Sequence, residues 1–422
     1  MSSGFHELDG SLYADGVALH DIASTTGTPT YVYSAGRLDE NVQRLQNALQ
    51  AALPPQAQPL IAYACKANSN IGVLAQLGRH GLGADVVSGG ELMRARTAGI
   101  EGQKIVFSGV GKNDDDLITA MREDVAQINI ESEPEFERIL TLAQQYKYRP
   151  RIAFRMNPDV DAKTHAKITT GKEENKFGLP LADIERLYKV AAASDHVAVQ
   201  GISVHIGSQL TTLAPFAEAF QKTAAFVQHL RAQGLPVQSI DLGGGLGIIY
   251  EQEQQPCLDR YAGLIRDIIH PLQARIILEP GRLIAGDAGL LLSRVTYVKR
   301  TAQRQYLILD AGMNDLVRPA MYDAYHPIRP VTSRTGDSRA YDIVGPVCET
   351  GDTFALSRDL PPVMAGDLMA IMVSGAYGFS MASRYNSRPL PAEVMTRAGQ
   401  FQVVRPRENM RDILKDEAIP QW

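Results

Sequence analysis

Cysteine and tryptophan are scarce: three cysteines and one tryptophan occur in 422 residues. Cys65, Cys257 and Cys348 are too few and too scattered for a disulfide framework, and their spacing does not match a zinc site. A reduced, cytoplasmic setting without a metal centre is the expectation, with one thiol left available for catalysis. No apolar run reaches the roughly 18 residues that a membrane span needs. The opening MSSGFHELDG has neither a basic nor an apolar region of the secretory kind, so no signal segment is expected. Charge of one sign is also lacking, because the net value is only −5. That excludes a general nucleic-acid or membrane footprint and leaves recognition to local sites.

What is present is a recurrence of short runs rich in Val and Ile. PLIAYACKAN (59–68), GADVVS (83–88), KIVFSG (104–109) and AQINIES (126–132) come first. RIAFRMN (151–157), QGISVHIGS (200–208), SIDLGGG (239–245) and RIILEPGR (275–282) follow. Between them lie amphipathic patterns such as SGGELMRARTAG (88–99), EPEFERILTLAQQY (133–146) and LADIERLYKVAAA (181–193). Strands that are apolar throughout and alternate with helices indicate a parallel sheet covered on both faces. Eight such strands fit a (β/α)8 TIM-type barrel over residues 31–282 better than an open Rossmann-like sheet.

After residue 283 the texture changes. LLSRVTYVKR, RQYLILDAG, AYDIVGPVCETGD, DLMAIMVSGAY and GQFQVVRPRE are strand-like and are bounded by turn residues without long helical inserts. An antiparallel β domain over 283–422 is expected, together with residues 1–30, where TTGTPTYVY adds a strand. No repeat, long linker or low-complexity tract is visible.

In barrels of this kind chemistry gathers at the C-terminal strand ends. Lys66, Asp85, Arg155, His205 with Ser208, Gly243–Gly245, and Glu279 with Arg282 lie at or near six of the eight. A desolvated Lys66 suits Schiff-base chemistry with an aldehyde, although a lysine there can also snorkel to the barrel mouth. The glycine triplet lets backbone amides approach an anion such as phosphate, or is only a tight turn. His205 and Ser208 suit ring stacking and phosphate binding; a lone histidine is more often structural. Glu279 either pairs with Arg282 or faces a cationic heterocycle nitrogen. Lysine, anion cradle, stacking ring and carboxylate together describe one cofactor, pyridoxal 5'-phosphate.

YACKAN, HIGSQ, DLGGG and EPGR, in this order and spacing, resemble the motifs of the diaminopimelate decarboxylase family. That family lies among the fold type III pyridoxal-phosphate enzymes, which share the alanine racemase and ornithine decarboxylase barrel. The resemblance runs from about Thr28 to about Arg407. It implies that Lys66 holds the cofactor, His205 stacks on its ring, and Glu279 faces its nitrogen. Asp85, Arg155, Ser208, Gly243, Gly244, Gly245, Gly281, Arg282 and Tyr377 are the other implied cofactor contacts.

Three further stretches carry the resemblance to substrate choice. RMNPDVDAKTHAKITTGKEENKFG (155–178) resembles the segment that follows the fifth strand in this family. LVRPAMYDAYHPI supplies Arg318 and Tyr322, which the resemblance implies bind substrate carboxylate with Arg282. GPVCETGD supplies Cys348 and Glu349, implied to reach the site of a second subunit, with Cys348 as proton donor and Lys66 as the alternative. GAYGFSMASRYNSRP supplies Tyr377, Tyr385 and Asn386. Two arginines and a glutamate match a substrate with an amino-acid head at each end, because bidentate arginine suits a distal carboxylate. The implied activity is decarboxylation of meso-2,6-diaminopimelate to L-lysine by a homodimer. Decarboxylation of D-lysine, D-ornithine or L-ornithine stays open, as do racemisation, against which Glu279 argues, and a non-catalytic homologue.

Overall fold

The structure, a computed structural model, describes residues 4–160 and 176–422. Residues 161–175, the centre of the stretch after the fifth barrel strand, lie outside the described residues. The chain divides into two units. One comprises the chain up to Glu40, Tyr250–Gln252 and Ala285–Trp422; the other comprises Asn41–Ile249 and Glu253–Ile284.

In the first unit β1 (Phe5–Leu8), β2 (Ser11–Ala14) and β3 (Val17–Ala18) form a small antiparallel sheet, followed by α1 (Leu19–Thr26) and β4 (Thr30–Ser34). Helix α2 (Ala35–Ala52) then leads to the first barrel strand.

The second unit is the expected closed barrel. Its strands are β5 (Leu60–Ala64), β6 (Gly83–Val86), β7 (Ile105–Phe107), β8 (Gln127–Ile130), β9 (Arg151–Met156), β10 (Ala198–Val204), β11 (Ser239–Asp241) and β12 (Arg275–Leu278). All are parallel, in the cyclic order β10-β11-β12-β5-β6-β7-β8-β9. Helices α3 (Ile71–Arg79), α4 (Gly89–Thr97), α5 (Asp114–Arg122), α6 (Glu133–Tyr146), α7 (Leu181–Ala192), α8 (Ala214–Ala232) and α9 (Leu258–Leu264) follow β5 to β11 in turn. Local chemistry starts several of them. Ser88 accepts the Glu91 amide, Ser132 accepts that of Glu135, and Asn113 forms a reciprocal cap with Asp116. Each such cap contributes about 1 kcal/mol.

The strand pleat sorts side chains by twos. In β8, Ile128 and Ile130 alternate with Gln127 and Asn129; in β11, Ile240 alternates with Ser239 and Asp241. The polar members of β8 and β11 bond to one another although three strand steps separate these strands, so they meet across the barrel interior. This interior is partly polar where aliphatic layers are usual.

Past β12, helix α10 (Arg282–Ala285) leads to the remaining strands of the first unit. These are β13 (Gly289–Arg300), β14 (Gln305–Leu309), β15 (Ile328–Pro330), β16 (Arg339–Val344), β17 (Thr353–Leu360), β18 (Leu368–Ile371), β19 (Ala392–Arg397) and β20 (Gln400–Arg405), with α11 (Arg318–Tyr322) between β14 and β15. Their sheet runs β17-β16-β14-β13-β4-β19-β20, with β18 pairing β13 and β15. Leu12, Ile22, Val32, Leu290, Leu292 and Val394 form its core.

Two details depart from expectation. Residues 31–40 fall with the β unit rather than the barrel, because β4 pairs with β13 and β19. The sheet is also not wholly antiparallel, since β4–β19 and β14–β16 are parallel pairs. Parallel neighbours need a long crossover, and the chain supplies one in both cases.

Candidate active site at the barrel strand ends

Lys66 follows β5 and places its Nζ 2.8 Å from Oδ2 of Asp85, which ends its pleat inside β6 and is fully buried. The lysine side chain is 34% exposed, so its amine is both held by a carboxylate and open to a reacting molecule. Lys112 provides the contrast. Its side chain is fully buried and donates to the Gly109 carbonyl (2.7 Å), the Asn129 carbonyl (2.7 Å) and Glu135 (2.6 Å), which satisfies a structural lysine.

Arg155, near the end of β9, is clamped rather than free. Glu131 takes its Nη1 at 2.6 Å and uses the other oxygen for the Gly178 amide at 3.0 Å. Phe177 stacks on the guanidinium at 4.9 Å. The KFG end of the family-like stretch is thus what seats Arg155.

His205, after β10, accepts the Gly244 amide on Nδ1 at 3.2 Å. Desolvation holds its pKa well below the usual histidine value, and the charges of Lys66 and Arg155 add to this. The ring is therefore neutral at neutral pH and can offer a flat face. Ser208 accepts a hydrogen bond from Arg282 Nη2 at 3.1 Å.

The glycine triplet brings strand ends together. A Cβ on Gly244 would lie 2.1 Å from the Glu279 carbonyl oxygen, and one on Gly245 would lie 2.5 Å from that of Gly207. Gly243 donates to Asp241 at 3.0 Å. The amides of Gly245 and buried Gly281 have no acceptor among the described residues.

Glu279 meets other polar groups inside the barrel. Ser108 donates to its Oε1 at 3.3 Å, and it is hydrogen-bonded to the carboxyl of Asp241. Burial pushes its pKa well up, and the negative charges of Asp241 and Asp85 push it further. Burial also raises Asp241, to about 6. Asp241 was missed as a site residue because the partners that give it a role lie on other strands.

In the β unit, α11 presents Arg318 and Tyr322. Buried Arg318 donates to Nε2 of His326 at 2.9 Å and stacks on Tyr250 at 4.7 Å. The His326 Nδ1 donates to the Met372 carbonyl at 2.9 Å, which fixes the neutral tautomer that Arg318 requires. Tyr377 has φ of +57°, between Gly375 and Gly378. A Cβ on Gly375 would meet the Ala285 carbonyl at 2.0 Å, so this turn is dictated by close backbone approach. Cys348 is exposed, its amide donates to Asn386 at 3.1 Å, and the neighbouring Glu349 accepts the Tyr385 hydroxyl at 2.9 Å.

Residues 39–286 match the family model described as "Pyridoxal-dependent decarboxylase, pyridoxal binding domain". A protein named diaminopimelate decarboxylase from Zymomonas mobilis subsp. mobilis is 44% identical over 416 residues, 98% of each chain. The chain belongs to the diaminopimelate decarboxylase family. A solved diaminopimelate decarboxylase from M. jannaschii in complex with L-lysine superposes with a TM-score of 0.94 at 36% identity, covering 99% of this chain and 98% of that one. The Helicobacter pylori family member, also solved with L-lysine, gives a TM-score of 0.90 at 39% identity over 94% and 98% of the two chains. Members of this family use pyridoxal phosphate, and the donor set fits it. The barrel mouth offers an amine, two unclaimed amides for an anion, a neutral ring and a buried carboxyl for a ring nitrogen. Among the described residues no helix is long and apolar enough to cross a membrane.

Proposed function

We propose that the chain decarboxylates meso-2,6-diaminopimelate to L-lysine and CO2, as a cytoplasmic homodimer. The observation that carries this reading is near-full-length similarity, at 44% identity, to a protein of that name. When bound, pyridoxal 5'-phosphate supplies an aldehyde carbon for amines and a protonated heterocycle that accepts the electron pair released as CO2 leaves.

The chain's residues do the rest. Lys66 would hold the cofactor covalently, and Asp85, 2.8 Å from its amine, would keep the lysine aligned. Ser208, Gly243–Gly245, Gly281 and Tyr377 bind the phosphate. Neutral His205 would stack on the cofactor ring without adding a charge that competes with the electron sink. Arg155 and its Glu131 clamp border the same mouth. Glu279 would hold the heterocycle nitrogen and keep it protonated.

Arg282, Arg318 and Tyr322 bind substrate carboxylate, and Glu349 takes the distal ammonium. His326 positions the Arg318 guanidinium by occupying its other edge. Cys348 delivers the proton that replaces CO2 on the α-carbon; its exposure suits service in the site of a second copy. In that step the S–H bond breaks as the C–H bond forms.

The shared site has a direct test. Lys66→Ala and Cys348→Ala, each inactive alone, should recover about a quarter of normal activity when mixed under subunit exchange, the share expected when half of randomly formed dimers carry one intact site of two. Exchange without recovery removes Cys348 from the partner's site. The substrate reading is tested by CO2 release from meso-diaminopimelate, D-lysine, and D- and L-ornithine. The two-headed substrate should lead in kcat/KM by at least about 100-fold, the scale of a lost charged hydrogen bond. A single-headed substrate that matches it overturns the assignment while leaving the fold intact.

A further inference from the structure

Beneath Glu279 lies a buried polar chain that the reaction described so far does not use. Ser239 donates to Gln127 at 2.6 Å, Gln127 donates to Asn129 at 2.8 Å, and Asn129 donates to Oδ2 of Asp241 at 2.8 Å. The Asn129 amide also reaches Ser108 at 3.1 Å, whose hydroxyl then points to Glu279 at 3.3 Å. Every member is buried: Gln127, Asn129, Ser239 and Asp241 are each at most 4% exposed. A half-satisfied network would be worse than an apolar core. This one is closed and runs in one direction.

That direction decides where a proton sits. Gln127 presents its oxygen to the Ser239 hydroxyl, so its amide group must donate to Asn129. Asn129 must in turn present its own amide group to Asp241. The Gly243 amide donates to the other Asp241 oxygen at 3.0 Å. Both groups donate, the Gly243 amide because it can do nothing else, so Asp241 is held as an acceptor, which favours its anionic form. The hydrogen bond between the two carboxyls must then be donated by Glu279.

We infer that Asp241 is a positioning residue for Glu279: the two carboxyls share one proton, carried by Glu279 before cofactor binds, and Asp241 keeps it there. The inference rests on the proposed placement of Glu279 against the heterocycle nitrogen. When that nitrogen arrives, the Glu279 O–H bond breaks and an N–H bond forms. The fixed negative charge behind Glu279 then raises the proton affinity of the whole unit, so the heterocycle stays protonated through turnover. Burial and the neighbouring charges act in the same direction on both carboxyls. The charged or titratable groups facing the pair are Asp85 on β6, Lys66 after β5 and Tyr261 on α9.

Infrared spectroscopy of the cofactor-free protein near neutral pH tests this without catalysis. A Glu279-dependent component of the protonated-carboxyl stretch should be present, lost in Glu279→Gln and shifted by 13C-glutamate but not by 13C-aspartate labelling, distinct from the signal of Asp315, whose carboxyl burial raises to about 7. In Asp241→Asn the stretch should titrate about one pH unit or more lower, because the adjacent anion is gone. Absence of the Glu279-dependent stretch, or an unmoved midpoint in a folded Asp241→Asn protein, overturns the proposal. The labelling result needs no variant and so stands if Asp241→Asn fails to fold. Addition of pyridoxal phosphate should abolish the stretch. A stretch that persists with cofactor bound removes Glu279 from the ring nitrogen and overturns the proton transfer, while the Asp241-dependent midpoint tests the pair by itself.

Discussion

Lys66→Ala is expected to lose the visible absorbance of the lysine-bound cofactor and to lower kcat by about 10⁴-fold or more, the scale on which removal of a covalent catalytic group acts. The fold should survive with a measurable cost. Removing the amine leaves Asp85 fully buried without the ammonium 2.8 Å away. Breaking a wholly buried pair costs about 3–5 kcal/mol. The lysine is one-third exposed, so a smaller loss, of about 1–3 kcal/mol, is expected in chemical denaturation. Lys66→Arg separates the two effects. It keeps a cation for Asp85 and should restore most of the stability, but it cannot form the covalent link and should stay inactive. Activity in either variant above about 1% of normal would remove Lys66 from its role.

Glu279→Gln is expected to lower kcat by about 10²–10³-fold with little change in KM, as for loss of one preorganised electrostatic contact to a transition state. The amide can still accept from Ser108 and donate to Asp241, so the packing that surrounds Glu279 persists. What disappears is the carboxyl that holds a heterocycle nitrogen protonated. The same substitution has a stability signature in the cofactor-free chain. The raised pKa of Glu279 means that the folded state binds its proton where the unfolded state has released it. Stability from this group is therefore complete below the ordinary carboxyl range and falls as pH rises toward the raised value. Denaturant midpoints measured across that range should fall with pH in the unaltered chain and fall less steeply in Glu279→Gln. Parallel slopes in the two proteins would place the proton elsewhere.

How much of this was readable beforehand depends on how local the signal is. Barrel strands buried on both faces announce themselves as apolar runs, and all eight formed where they were expected. Lys66, His205 and Glu279 stood out because each is a polar residue at the end of such a run. Asp241 carries the same kind of signal one step earlier, as the second polar residue of the Ser239-Ile240-Asp241 alternation. Its meaning lies in Asn129, 112 residues away, and in Glu279 on the next strand. No spacing rule connects those positions; the closed barrel does. His326 was likewise hidden in AYHPI, because its task is set by Arg318 and by the Met372 carbonyl on a different segment. The β unit was less legible still. Its β4–β19 parallel pair joins two strands that the whole barrel separates in the chain, so no local signal announces it.

One measurement bears most directly on the claim that the barrel-mouth amine carries the chemistry. Sodium borohydride reduces a lysine–aldehyde C=N bond to a stable secondary amine, so treating the cofactor-loaded protein and mapping its peptides by mass spectrometry locates the attachment. One phosphopyridoxyl group per chain is expected, on the peptide containing Lys66. A group on Lys112 or any other lysine, or none in a folded and cofactor-loaded protein, would contradict it.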